Sequence, residues 1–245
     1  MSLQPPTRKV LRALTPAFAL AISLAGFSII GLSACDSSAT GAADPHNIQD
    51  SIHAFLTPAL IDSLKKYGMP IHEGSNPPNI EGFFYSNSQK LKGSNVASDK
   101  PGKTFRAMSI KLFGQNADQR ISLEYDQTVE KGSGTGAFIT GSGSEFTIYV
   151  PLKAQSIDPR DTVDYETAVC YSGRIDTAGI HDFVNGLIVT KKDKDSLNLV
   201  LDVGQGRVIE ESDSLAAKVA TYPFTGIVPI KVKANAEAGP ANGGR

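Results

Sequence analysis

From residue 80 onward, apolar and polar side chains alternate one for one. "RISLEYD" sets Ile121, Leu123 and Tyr125 against Arg120, Ser122, Glu124 and Asp126. "EFTIYVP" opposes Phe146, Ile148 and Val150 to Glu145, Thr147 and Tyr149. "TVDYETAVCYSG" opposes Val163, Tyr165, Thr167, Val169 and Tyr171 to Asp164, Glu166, Ala168 and Cys170, and "SLNLVLDVG" opposes Leu197, Leu199, Leu201 and Val203 to Asn198, Val200 and Asp202. Successive side chains leave a strand on opposite faces, so each segment predicts a strand with one buried and one wetter face. "FRAMSIKLFG" and "HDFVNGLIVTK" predict two more, with Thr177 to Asp182 open to a helical turn. Turn signals stand between them: "FGQNADQ", "EKGSGTG", "GSGSE", "IDPRD", "KKDKDS" and "GQGR".

About eight strands thus fit between Ile80 and Phe224, with connections too short for crossover helices. The fold class predicted is all-β and mostly antiparallel. Two architectures satisfy it: an up-and-down barrel, which leaves no sheet edge exposed, and a β-sandwich.

Ahead of the strands the period changes. Leu60, Ile61 and Leu64, with Tyr67, fall on one face of a short amphipathic helix at 58–67. Thr57 suits its cap, Pro58 its first turn and Gly68 its stop. "GMPIHEGSNPPNIEG" is too rich in Pro, Gly and Asn for a regular element and predicts an ordered strap that delivers the first strand at Ile80. Residues 36–47 are small and polar, a flexible tether. The β domain is expected over 80–230 and a disordered tail over 231–245.

The first residues read as processing signals. Arg8, Lys9 and Arg12 precede an almost uncharged run from Ala13 to Ala34, the pattern of a secretory signal. The run closes on Leu32-Ser33-Ala34-Cys35, which resembles the lipobox of bacterial lipoproteins, Leu-[Ala/Ser]-[Gly/Ala]-Cys, at every position. That resemblance implies a 1–34 signal peptide, cleavage after Ala34, and diacylglyceryl transfer to Cys35. The competing expectation is an uncleaved transmembrane anchor, since 22 residues exceed the roughly 20 a span requires. Pro16, Ser23, Ser28 and Gly31 interrupt it. Either anchor places the rest of the chain outside the cytoplasm and tied to a membrane. Asp36 resembles the inner-membrane retention signal of enteric bacteria; the outer membrane is the expected address.

Charge narrows the partners. The leader carries three basic and no acidic residues, so the remaining 211 residues hold 21 basic against 25 acidic, a net of −4. A nucleic-acid partner would call for a basic surface. With Cys35 lipidated, Cys170 has no disulfide partner, and its apolar neighbours predict a small buried hydrophobe.

In strand count the β region resembles the lipocalin-like (calycin) barrels. Gly82-Phe83-Phe84 matches the Gly-x-aromatic opening of their first strand, though with Phe where lipocalins favour Trp, and Arg207 stands for the basic residue of their last strand. The resemblance implies a barrel that binds a small or lipidic ligand.

Other chemistry finds little support. "GSGTGAFITGSG" lacks the following helix and the Lys-Ser/Thr of a phosphate loop. His46, His53, His72 and His181 show no zinc spacing, and no cofactor is predicted. A nucleophile would have to be a serine or Cys170 with His181, yet no Gly-x-Ser-x-Gly elbow exists. Glu124, Asp126, Asp164 and Glu166 take the polar phase of their strands and read as solvated outer-face groups. Aromatic residues are the stronger candidates. Phe84, Tyr125, Phe146 and Tyr165, with Arg207, are the residues expected to line a ligand inside a barrel. The expectation is a non-enzymatic, membrane-anchored envelope protein that binds a small apolar ligand or serves as a scaffold; an interaction module of an envelope complex is the alternative, with the helix at 58–67 or the strap at 69–79 as its apolar patch. An envelope hydrolase ranks last.

Overall fold

A computed structural model describes residues 45–221. The leader, Cys35, most of the tether and the segment from 222, Phe224 included, lie outside the described residues.

Twelve strands form one hydrogen-bonded system: β1 (Ser75–Asn76), β2 (Gly82–Ser86), β3 (Gln89–Ser94), β4 (Thr104–Phe105), β5 (Met108–Phe113), β6 (Arg120–Asp126), β7 (Glu130–Ser142), β8 (Glu145–Asp158), β9 (Asp161–Ile175), β10 (Gly179–Lys192), β11 (Gly206–Glu211) and β12 (Leu215–Val219). Pairing runs β12-β2-β5-β6-β7-β8-β9-β10, and β10 returns to β12, so the sheet closes into a ring. β11 and β12 lie along the same side of β10, both antiparallel to it, with a two-residue register offset across 212–214. β2 with β3, and β4 with β5, are interrupted strands in the same way. Counted so, the expected eight-strand antiparallel meander is present. Among the described residues the one parallel pairing is β1 with β7, where the strap touches the barrel.

Closure removes the edges that would invite pairing with another chain. Inside, the apolar phase of each strand builds one core, which includes Phe84, Ile110, Leu123, Ile139, Phe146 and Ile148, none more than 1 % exposed. A second core lies outside, where α1 (Pro45–His53) and α2 (Pro58–Lys66) pack on the barrel wall. Ile48 and Ile52, one turn apart, join Leu56, Ile61 and Leu64 against Phe138, Tyr149, Cys170 and Val208. α2 begins as its sequence predicts: Thr57 caps, the Leu60 N–H donating to Thr57 Oγ1 at 3.4 Å. The outward side chains of the central strands are therefore apolar too, which explains their long buried runs.

Four expectations are corrected. The helical segment is two helices, α1 beginning at Pro45 inside the predicted tether. Thr177 to Asp182 holds no helical turn; Asp176 accepts from the Ala178 and Gly179 N–H groups and closes a hairpin. "EKGSGTG" is not a turn but the first half of β7, with a register shift between Ser133 and Phe138. "SLNLVLDVG" forms no strand and takes no place in the strand order. It loops over the barrel mouth instead. Asp195 accepts from the Leu199 and Val200 N–H groups at 2.8 and 3.0 Å, and Lys192 Nζ ties Asp195 to Asp202.

Candidate functional site

A cavity of about 100 Å³ lies beneath that loop, at the end of the barrel where β6 meets β7, β8 meets β9 and β10 meets β11. Leu199, Val200 and Leu201 cover it, Leu152, Val169, Leu187 and Val189 form apolar wall, and Tyr125, Tyr165, Tyr171, Gln127, Glu130, Asn185 and Arg207 bring polar groups. Apolar walls with a few convergent polar groups are what small-ligand pockets have in common.

The polar groups are arranged by strand parity. β6 turns into β7 through Gln127, Thr128 and Val129, with Thr128 in the left-handed region at φ 74° and its N–H bonded to Asp126 Oδ1 at 2.7 Å. The turn returns the chain with Glu130 on the inner face. The Tyr125 hydroxyl donates to Glu130 Oε1 at 2.8 Å, and the Tyr165 hydroxyl donates to the same oxygen. The two hydroxyls are 3.4 Å apart. Burial first, then the Glu130 charge, pushes both phenols well above their ordinary range, so they stay protonated and act as donors.

Glycines make this contact possible. A Cβ at Gly132 would stand 2.4 Å from Tyr125 Cε1, so the ring lies across a bare stretch of β7 on its way to Glu130. At Gly134 a Cβ would stand 2.3 Å from Val150 Cγ2. The glycine-rich segment thus serves close packing inside a strand.

Arg207 enters from β11. Its Nε and Nη2 meet Asp99 Oδ2 and Oδ1 at 2.6 and 3.0 Å, and its guanidinium lies 5.4 Å from the Phe105 ring centre. Burial alone would raise the Asp99 pKa; the hydrogen bonds from Arg207, Lys103 and Ser94 outweigh it and hold the carboxyl far below its usual range. Asn185, on β10, is 5 % exposed, lines the cavity, and its Oδ1 has no hydrogen-bond partner among the described residues. A buried polar atom without a partner is uncommon in a folded protein.

Of the residues expected to line a ligand, Tyr125, Tyr165 and Arg207 meet at this cavity. Phe84 and Phe146 do not: both are fully buried in the filled part of the barrel, where large apolar side chains leave no space. Glu130 and Asn185 were missed. Glu130 was masked by the turn reading of its glycine-rich neighbours. Asn185 did leave a signal, as the one polar residue in phase with Phe183, Leu187 and Val189.

Other candidates lie elsewhere. Cys170 sits in the outer core beneath the helices, where burial pushes its thiol up and out of reactive range. His181 pairs with Asp176 at 2.9 Å at the opposite end of the barrel. Glu124 and Glu166 pair with Lys111 and Lys191, both at 3.3 Å. Asp126 is buried rather than solvated, its carboxylate held in the β6–β7 turn. Among the described residues no three His, Cys, Asp or Glu side chains converge as a metal site. No protein-family model, curated protein or solved structure matches this chain.

Proposed function

We propose that this protein is a cell-envelope lipoprotein, anchored through lipid on Cys35 and directed to the outer membrane, whose non-enzymatic barrel binds one small ligand in its mouth cavity. The lipobox resemblance supports the anchor; among the described residues no helix is long and apolar enough to cross a membrane. A single acyl chain binds a bilayer only marginally, so two or three on one cysteine give lasting attachment. The observation that carries the binding reading is the cavity itself: about 100 Å³, walled by apolar and aromatic side chains, with the unpartnered Asn185 Oδ1 beside it. Its size favours a small molecule over an acyl chain, for which the filled half of the barrel leaves no room.

The test is a native mass spectrum of residues 36–245 purified from a bacterial host. An extra mass released on denaturation, and lost when Val169→Phe fills the cavity, supports the reading; a bare chain mass in both proteins counts against it. For the anchor, labelled palmitate should enter the full-length chain and not its Cys35→Ala variant.

A second reading, an interaction module, is favoured by one observation. Among the described residues, the exposed large hydrophobics Val129, Ile157, Leu197 and Val203 all belong to loops or strand ends around the same mouth. The patches first expected, α2 and the strap, instead bury Ile61, Leu64 and Met69 on the barrel. An envelope protein seated on the rim would be captured by crosslinking from Val203 and lost in a Leu197→Ser, Val203→Ser double variant.

A further inference from the structure

Resting on the reading of the mouth cavity as a ligand site, we infer that its ligand is a small organic cation, an ammonium group carried on a few carbon atoms, with Glu130 as its counter-charge and Tyr125, Tyr165 and Tyr171 around it. Charge matching decides the sign. Two ionisable groups of opposite charge line the cavity, Glu130 and Arg207. The guanidinium is already matched by two hydrogen bonds to Asp99, whose side chain is 1 % exposed. Glu130 has no cationic partner among the described residues; its two bonds come from neutral tyrosine hydroxyls, and both fall on Oε1. Asp99 answers Lys103 as well as Arg207, so Glu130 is the one charged group of the lining that stands without an ion pair among the described residues.

The hydrogen-bonding inventory agrees. The phenol protons of Tyr125 and Tyr165 are committed to Glu130, so their oxygens face further partners as acceptors. The Asn185 Oδ1 is an acceptor with no donor, and a ligand that brings N–H groups supplies what both lack. Aromatic rings attract cations through their quadrupoles, and rings gathered around a carboxylate form the kind of cage that selects ammonium groups. An anionic ligand would have to compete with Asp99 for Arg207 while facing Glu130.

The experiment uses the detergent-solubilised full-length protein and calorimetric titration with four probes. Choline and butylammonium are the cations, 3,3-dimethylbutan-1-ol is the neutral isostere of choline, and butyrate is the anion. The cations are expected to bind roughly tenfold or more tighter than the neutral isostere. Glu130→Gln, which keeps an acceptor for the two tyrosines, should remove that preference and leave the neutral isostere unchanged, with the circular dichroism spectrum intact. Equal binding of cation and isostere would overturn the cation and leave the pocket reading standing. Preference for butyrate, abolished by Arg207→Gln, would overturn it in favour of an anion. Binding of none of the probes at about 10 mM, weaker than any useful site, would overturn it as well. The pocket reading would then stand or fall on the co-purified mass alone.

Discussion

The two ends of the barrel use the same strands to opposite effect. Toward the end where β7 meets β8, Phe84, Phe146 and Ile148 fill the interior and none is measurably exposed. Toward the mouth, the inner wall carries Glu130, Asn185, Thr167 and three tyrosines around open space, under a loop rather than a strand. The lower interior meets the demand of stability, close packing of apolar groups. The upper interior gives up packing for polar groups that hold one another in place. That difference places function at the mouth, where a cavity persists because Asp195 fastens the covering loop and Gly132 lets Tyr125 reach its carboxylate.

The comparison breaks first under truncation. Phe146→Ala should cost about 3–5 kcal/mol in urea unfolding, since it opens a void that a filled core cannot collapse. Leu187→Ala, on the cavity wall, should cost about 2 kcal/mol, the low end for such changes, because part of its surroundings is already empty. Equal losses would show that the two halves are packed alike. Gly132→Ala comes next: its methyl must displace the Tyr125 ring, for about 1–3 kcal/mol of overpacking, and should weaken ligand binding by parting Tyr125 from Glu130.

Smaller effects sharpen the contrast. Asp195→Ala should speed hydrogen exchange at Leu199 to Leu201 and leave the amides around Phe146 unchanged, since it loosens the cover alone. Glu211 tests the wall between the halves. Burial raises its pKa above the ordinary 4.5, even though Ser86 and two backbone N–H groups donate to it. Over the interval between 4.5 and the raised value the folded state binds more protons than the unfolded one. Its contribution to stability therefore declines as pH rises through that interval. Glu211→Gln should flatten this part of the stability–pH curve, and an unchanged slope would assign it to another group.

Much of this was legible in the alternation of residues. "RISLEYD" is β6 to the residue, and the inward phase of β8 and β9 was read correctly, Tyr165 and Phe146 included. Side-chain alternation is a local property of extended backbone, so the sequence alone determines which residues share a face. It also determines the caps of α2. Tertiary structure alone decided the rest, because pairing is non-local. "SLNLVLDVG" alternates as well as any strand, yet the ring closes through β10, β12 and β2 without it. The glycines of β7 read as turns until Tyr125 and Val150 were seen packed on them. Whether an inward aromatic fills the barrel, as Phe146 does, or borders a cavity, as Tyr165 does, depends on what the facing strands place opposite it, and no single segment carries that information.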